Sequence, residues 1–237
     1  MRIRALHVVV PARDEADHLP QALDALQLAV GAVLRYAPGL LVTVTVVLDS
    51  CRDGSAYVVA GRPWVRAVEV EHGVVGRSRA AGVDRARAAA PDVPADQVWV
   101  ACTDADTVVP TQWLVRQLVL AESGAEYYLG VVHPDSEQLD PLTRARWWER
   151  HHLVEGHTHV HGANMGFTLA AHDAVGGFAP LATGEDVEMA AALGASGRTG
   201  VATADCPVLT SGRTAGRAPL GFASYLLDLE SPGEAPA

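Results

Sequence analysis

The sequence contains no lysine: all 18 of its basic residues are arginine. The bias reads as the mark of a GC-rich bacterial genome, and it has a chemical consequence. A phosphate clamp here is expected to be arginine or backbone, and the P-loop, which needs lysine, is excluded. Cysteine is scarce as well. Cys51, Cys102 and Cys206 are odd in number and scattered, which fits a reducing cytoplasm better than a disulfide framework. Long apolar runs are also missing. The first, Ala5 to Val10, is short and ends at a proline, so no signal peptide is expected. The stretch from Leu26 to Leu48 is broken by Arg35 and Pro38, and no membrane span is expected from it. Positive charge is short overall: the formal net charge of -10 argues against nucleic acid as a partner.

What is present is globular. Hydrophobic residues make up 49% of the 237 positions against 19% charged, enough to bury one sizeable α/β core. Leu6 to Val10 predicts a buried strand, and Leu19, Leu23, Leu26, Val30 and Leu34 recur at helical spacing. Asp17 is expected to cap that helix and Pro38-Gly39 to stop it. Strands are expected at Leu40 to Leu48, Trp64 to Val70 and Val98 to Cys102, with a helix over 77–90 and another beginning at Pro110. A strand near Tyr127 to His133 and a helix from Leu139 to about Leu153 follow, then a His- and Gly-rich stretch. The Pro/Gly-rich tail at 231–237 is expected to be disordered. This order implies a largely parallel sheet with helices on both faces, in which ligands sit beyond the carboxyl ends of the strands. One domain is expected over 1–230, with a nucleotide-binding half (1–105) and an acceptor and catalytic half (106–230).

The segments after the strands carry acids. Pro11-Ala12-Arg13-Asp14-Glu15 follows the first strand, Asp49-Ser50-Cys51-Arg52-Asp53-Gly54-Ser55 the second, and Thr103-Asp104-Ala105-Asp106-Thr107 the fourth. Acids suit turns in any case, but three such loops at one sheet edge repel unless they bind a cation or the hydroxyl and ring NH donors of a nucleotide. A dinucleotide fingerprint is excluded, because the first strand-to-helix turn has no glycine.

In that order these segments resemble the GT-A glycosyltransferases of family 2. The resemblance continues with Gly162-Ala163-Asn164, Gly176-Gly177-Phe178 and Gly184-Glu185-Asp186, and covers roughly residues 5 to 205. It departs at Asp14, where an Asn is usual, and in lacking a late histidine around Thr210 to Arg217. The resemblance implies a single nucleotide-diphospho-sugar transferase domain that uses a UDP- or GDP-sugar as donor and Mn²⁺ or Mg²⁺ as cofactor. It implies that Pro11, Arg13, Glu15 and Asp49 line the base and ribose pocket, with Asp49 accepting from a ring NH and Glu15 from a ribose hydroxyl. Asp49, at a strand's end, is expected to be dispensable for folding. Arg79, near a helix start, is expected to meet phosphate or nucleoside. Asp106 is implied as the direct metal ligand, with Asp104 nearer ribose or a metal-bound water. On an extended segment both carboxylates would point the same way. Asp186 is implied as the general base in an inverting displacement, with Glu185 as the fallback.

Several residues stay open at the level of sequence. His157, His159 and His161 alternate as zinc ligands might on a strand, but no fourth ligand is suggested. Contact with acceptor or diphosphate, above all by His161, is the better reading. Trp147 and Trp148 can stack on an acceptor or fill the core. Arg213 and Arg217 sit in a glycine-rich stretch that can fold over the diphosphate. An inactive nucleotide-sugar-binding relative and a retaining enzyme that glycosylates phosphoglycerate are the alternatives. A nucleotidyltransferase lacks its basic glycine-rich loop here, and a glycosidase would leave the first two acidic loops without purpose. The acceptor is expected to be a small molecule, a glycan or a peripheral lipid-linked compound.

Overall fold

The computed structural model describes residues 2–151, 154–216 and 221–230. The chain opens with β1 (Ala5–Ala12), α1 (Leu19–Tyr36), β2 (Leu41–Asp49), α2 (Ser55–Ala60), β3 (Val65–Val70), α3 (Val75–Ala89), β4 (Val98–Cys102) and β5 (Thr107–Val108). It continues with α4 (Trp113–Glu122), β6 (Tyr127–Pro134), α5 (Pro141–Arg150), β7 (Met165–Thr168), α6 (Leu169–Ala174), α7 (Glu185–Ala195), β8 (Gly200–Thr210) and α8 (Phe222–Glu230). One eight-stranded sheet runs in the order β3-β2-β1-β4-β7-β6-β8-β5. The β3-β2-β1-β4 half is parallel throughout, as the alternating order of elements requires. Beyond it, β7 lies antiparallel to both β4 and β6, while β6 and β8 are parallel.

Alternation along the central strands explains the layers. Leu6, Val8 and Val10 of β1 and Trp99 and Ala101 of β4 join α1, α2 and α4 in one core. Ala5 and Val9, with Val98, Val100 and Cys102, face the other way and pack against α3, α6 and α7. Side chains two apart in a strand share a face, so two buried faces need near-continuous apolar strands, and these strands are. Gly82 lets α3 approach closely: a Cβ there would come within 2.2 Å of Val9 Cγ1. A third, smaller cluster of Leu139, Trp147, Leu226 and Leu229 fixes α5 against α8.

Some local expectations need correction. The N-cap of α1 is His18, with no side-chain capping bond, and Asp17 precedes it. The first turn is instead held by Glu15, whose carbonyl accepts from the amides of His18 and Leu19. Pro110 lies three residues ahead of α4, and its carbonyl accepts from Trp113 N. The short elements α2 and β5 had no clear signal in the sequence. Leu153, Arg217 and the tail at 231–237 lie outside the described residues. Among the described residues, no helix is long and apolar enough to cross a membrane.

Candidate active site

The carboxyl ends of β1, β2 and β4 open into a cavity of about 930 Å³, and all nine singled-out positions, Pro11, Arg13, Glu15, Asp49, Arg79, Asp104, Asp106, Glu185 and Asp186, line it. The turns that build it are special. Asp14 and Ser50, one just beyond β1 and one just beyond β2, hold left-handed backbones with φ of 51° and 56°. Asp and Asn tolerate that region better than most residues, which accounts for Asp14 standing where its look-alikes carry Asn. The Asp14 and Asp53 carboxylates serve the turns themselves: Asp14 accepts from Arg52 N at 2.6 Å, and Asp53 accepts from Ala16 N and Ser55 N at 2.9 Å. These two acids are therefore turn formers that tie the first loop to the second.

Asp49 is more deeply committed than its place at the end of β2 suggested. It is 4% exposed, and its Oδ1 accepts from the amides of His72 and Gly73, each at 2.8 Å, and from Ser50 Oγ. Its Oδ2 accepts from Ser78 Oγ at 2.6 Å, which leaves that oxygen capacity for a second donor. Burial disfavours its charge, but these four donors outweigh burial and keep its pKa below the ordinary carboxylate value. The expectation that Asp49 is dispensable for folding is thus corrected. Asp49→Ala is expected to cost about 1–3 kcal/mol of stability by orphaning buried donors, read from chemical denaturation midpoints, besides weakening any bound nucleoside. A variant as stable as the parent would show that water replaces the carboxylate.

Arg79 departs most from an ordinary helix arginine. It is 2% exposed; its Nε donates to Glu185 Oε1 at 2.9 Å and its Nη2 to Asp104 Oδ1 at 2.6 Å. Burial opposes its charge, while Asp104 and Glu185 hold its pKa above the usual arginine range. One side chain from α3 therefore locks the loop after β4 to the start of α7. Gly162 permits this, since a Cβ there would fall 2.3 Å from Arg79 Nη2.

Asp104 and Asp106 do not share an extended segment. Thr107 N donates to Asp104 O at 3.2 Å, closing a turn, and the two carboxylates meet different arginines. Asp106 Oδ2 lies 3.0 Å from Arg213 Nη2, and the same guanidinium grips Glu15 with two bonds of 2.7 and 2.9 Å. Burial and then the neighbouring Asp104 push the Asp106 pKa up to about 6, against the pull of Arg213. Arg213 is placed by an anchored segment: Ser211 N donates to Asp106 O, and Gly212 N donates to Gln138 Oε1. Sequence reasoning left its role open; here it supplies positive charge where Glu15 and Asp106 converge. Among the described residues, no three His, Cys, Asp or Glu side chains form a metal-holding group. An ion here would rely on one or two carboxylates plus ligand oxygens, a donor set common for Mg²⁺ and Mn²⁺ with nucleotides.

Glu185 and Asp186 differ sharply. Glu185 is 4% exposed and spent on Arg79; burial raises its pKa. Asp186 is half-buried at the start of α7, with Oδ2 accepting from Gly162 N at 2.6 Å and Oδ1 from Val187 N at 2.9 Å. The three histidines do not form a zinc site. Residues 157–161 are not a strand, and the rings contact one another at 5.7 Å (His157 to His159) and 6.2 Å (His159 to His161). Trp147 is buried, stacked on His151 at 3.5 Å, and lines the cavity; Trp148 is 49% exposed and edges onto His133. Ser78 and His151 are site residues that the sequence reading missed. Ser78 has a retrospective signal, a hydroxyl in the first turn of a helix facing the strand ends; His151 has none beyond its place next to Arg150.

The architecture is that of known transferases. The S. aureus TarS fragment 1-349 solved with UDP superposes with a TM-score of 0.62 at 13% identity, covering 89% of this chain and 60% of that one. The mannosyltransferase PcManGT from Pyrobaculum calidifontis, solved with GDP-Man and Mn²⁺, gives 0.60 at 18% identity, with 92% and 59% covered. Glucosyl-3-phosphoglycerate synthase from Mycobacterium tuberculosis, solved with Mn²⁺, UDP and phosphoglyceric acid, gives 0.59 at 13%, with 96% and 77% covered. The chain thus spans about three fifths of the length of the first two. These likenesses show the GT-A fold, with helices on both faces of a mixed sheet. No curated protein matches the sequence. The model of the family described as "Glycosyl transferase family 2" matches residues 7–178, and the chain belongs to that family.

Proposed function

We propose that the protein transfers a sugar from a nucleoside diphosphate to an acceptor hydroxyl, with inversion. Glu15 and Asp49 receive the nucleoside's donors, Asp106 and Asp104 hold Mn²⁺ or Mg²⁺, and Asp186 takes the acceptor's proton. One observation carries the reading: the partly buried Asp106, with its pKa raised to about 6 and Arg213 already drawn to it, is a position that calls for added positive charge. A divalent ion supplies it, neutralising charge on the departing diphosphate. Arg213, on the same carboxylates, is placed to turn to the diphosphate once they are otherwise neutralised. Asp186 suits the base because its carboxylate is half-exposed to the cavity, whereas Glu185 is closed off behind Arg79. The free state of Cys51, Cys102 and Cys206 supports a reducing compartment such as the cytoplasm.

Titration calorimetry with UDP and GDP, each with Mn²⁺ or with EDTA, tests the reading. Metal is expected to tighten binding of the preferred nucleotide by about tenfold or more, or 1.4 kcal/mol, and Asp106→Asn to abolish the difference. Equal affinity with and without metal would remove the cation from the proposal.

A further inference from the structure

The cavity has a second polar region, apart from the residues proposed above for donor and metal. Every acid lining it has a partner in the protein: Glu15 and Asp106 have Arg213, Asp104 and Glu185 have Arg79, Asp49 has Ser78, and Asp186 has Gly162 N. The basic groups are not all matched. Among the described residues, Arg13 and Arg150 form no ion pair, although both line the cavity. Arg13 follows β1 at the nucleotide end. Arg150 is the last residue of α5, a different element, and stands beside His151.

From Arg150 the cavity wall continues as imidazoles. His151 meets His159 at 5.4 Å, and His159 meets His161 at 6.2 Å. His159 and His161 have no hydrogen-bonded side-chain partner among the described residues. After burial, which lowers the pKa of each, the rings act on one another: His157 lowers His159, and His159, His151 and His157 lower His161, to about 4. A protein of net charge -10 has thus gathered an arginine and three neighbouring imidazoles on one wall, and Asp104, the acid that acts on His161, is already bonded to Arg79. That is the mirror image of an acidic cluster awaiting a cation, and an anion relieves it by accepting N–H bonds and favouring protonation.

The place matters as much as the charge. His161 immediately precedes Gly162, whose amide holds Asp186 at 2.6 Å. The wall therefore ends at the residue next to the one that holds the side chain assigned as base.

We propose that Arg150, His151, His159 and His161 form an anion-binding subsite that recognises a phosphate or carboxylate on the acceptor and presents the acceptor's hydroxyl to Asp186. The inference rests on the transferase reading for the word acceptor, but the subsite itself is tested without turnover. The sequence showed it only in part: a contact of His161 with acceptor or diphosphate was legible, whereas Arg150, eleven positions earlier, and His151 carried no signal.

The experiment titrates the full chain, with saturating UDP and diamagnetic Mg²⁺ and again without them, using inorganic phosphate, acetate, glycerol 3-phosphate and glycerol. Imidazole C–H resonances, assigned through His159→Gln and His161→Gln, provide the signal. Phosphate or acetate is expected to shift the His159 and His161 resonances, and whichever does so names the anion. Glycerol 3-phosphate is expected to bind at least about tenfold more tightly than glycerol, and Arg150→Gln to remove about tenfold of that affinity. Arg150 is exposed at a helix end, so this variant keeps the fold. UDP binding by Arg150→Gln is expected to be unchanged. If neither anion moves the His159 and His161 signals, or if Arg150→Gln binds anions as the parent does, the subsite is wrong while UDP binding still stands. If UDP fails to bind the parent, the donor reading falls, and the titration without nucleotide still decides the subsite.

Discussion

Arg79→Met is expected to lower the stability of the fold by about 3–5 kcal/mol, the range for removing one member of a buried ion pair. The cause is what it leaves behind. Glu185 is 4% exposed, and Arg79 is the cation that meets its carboxylate, at 2.9 Å; Asp104 loses a bond of 2.6 Å in the same step. A loss this large is a substantial part of the stability of an ordinary domain. Lysine is no remedy, because a single ammonium cannot reproduce Nε to one acid and Nη2 to another. The double variant Arg79→Met/Glu185→Gln should recover part of the loss, since a neutral amide replaces the stranded carboxylate. Urea denaturation of the three proteins checks this. A loss below about 1 kcal/mol for Arg79→Met would mean that Glu185 takes up a proton or reaches water, and that Arg79 does not fasten the site.

This tie explains why the site was only partly legible in the sequence. The apolar alternation of Leu6, Val8, Val10 against Ala5 and Val9 placed a strand between two layers, and the acids after it then fell at the strand ends. Fold and cavity position follow from such local patterns. The electrostatics do not, because the partners are remote in the chain: Arg79 and Glu185 are 106 residues apart, and Arg213 and Glu15 are 198 apart. No periodicity reports a pairing at that separation. Local reading also misjudged Asp49, whose donors at positions 72, 73 and 78 come from the far side of β3. The turn at Asp104 shows the same limit: two acids in an Asp-x-Asp pattern suggested parallel side chains, and one backbone bond from Thr107 sends them to different arginines.

The pairing of Arg79 with Glu185 also leaves the neighbouring acid as the group available for chemistry. Asp186→Asn is expected to reduce sugar transfer by about 10²–10⁴-fold, the range for losing a positioned general base, while UDP or GDP binding stays near the parent value. The substitution is close to isosteric. Its remaining oxygen can accept from Gly162 N or from Val187 N, so at most one of the bonds of 2.6 and 2.9 Å is lost, and α7 keeps its start. Asp106→Asn should differ, weakening metal-supported nucleotide binding as well as turnover, because that carboxylate stands with Glu15 and Arg213. Glu185→Gln should differ again, acting mainly on stability through Arg79. Donor affinity by calorimetry, transfer rate with the best acceptor, and denaturation midpoints separate the three variants. Unimpaired transfer by Asp186→Asn would overturn its role as base. Equal loss of donor affinity in the Asp186 and Asp106 variants would place both carboxylates at the nucleotide and leave the acceptor's proton without an assigned base.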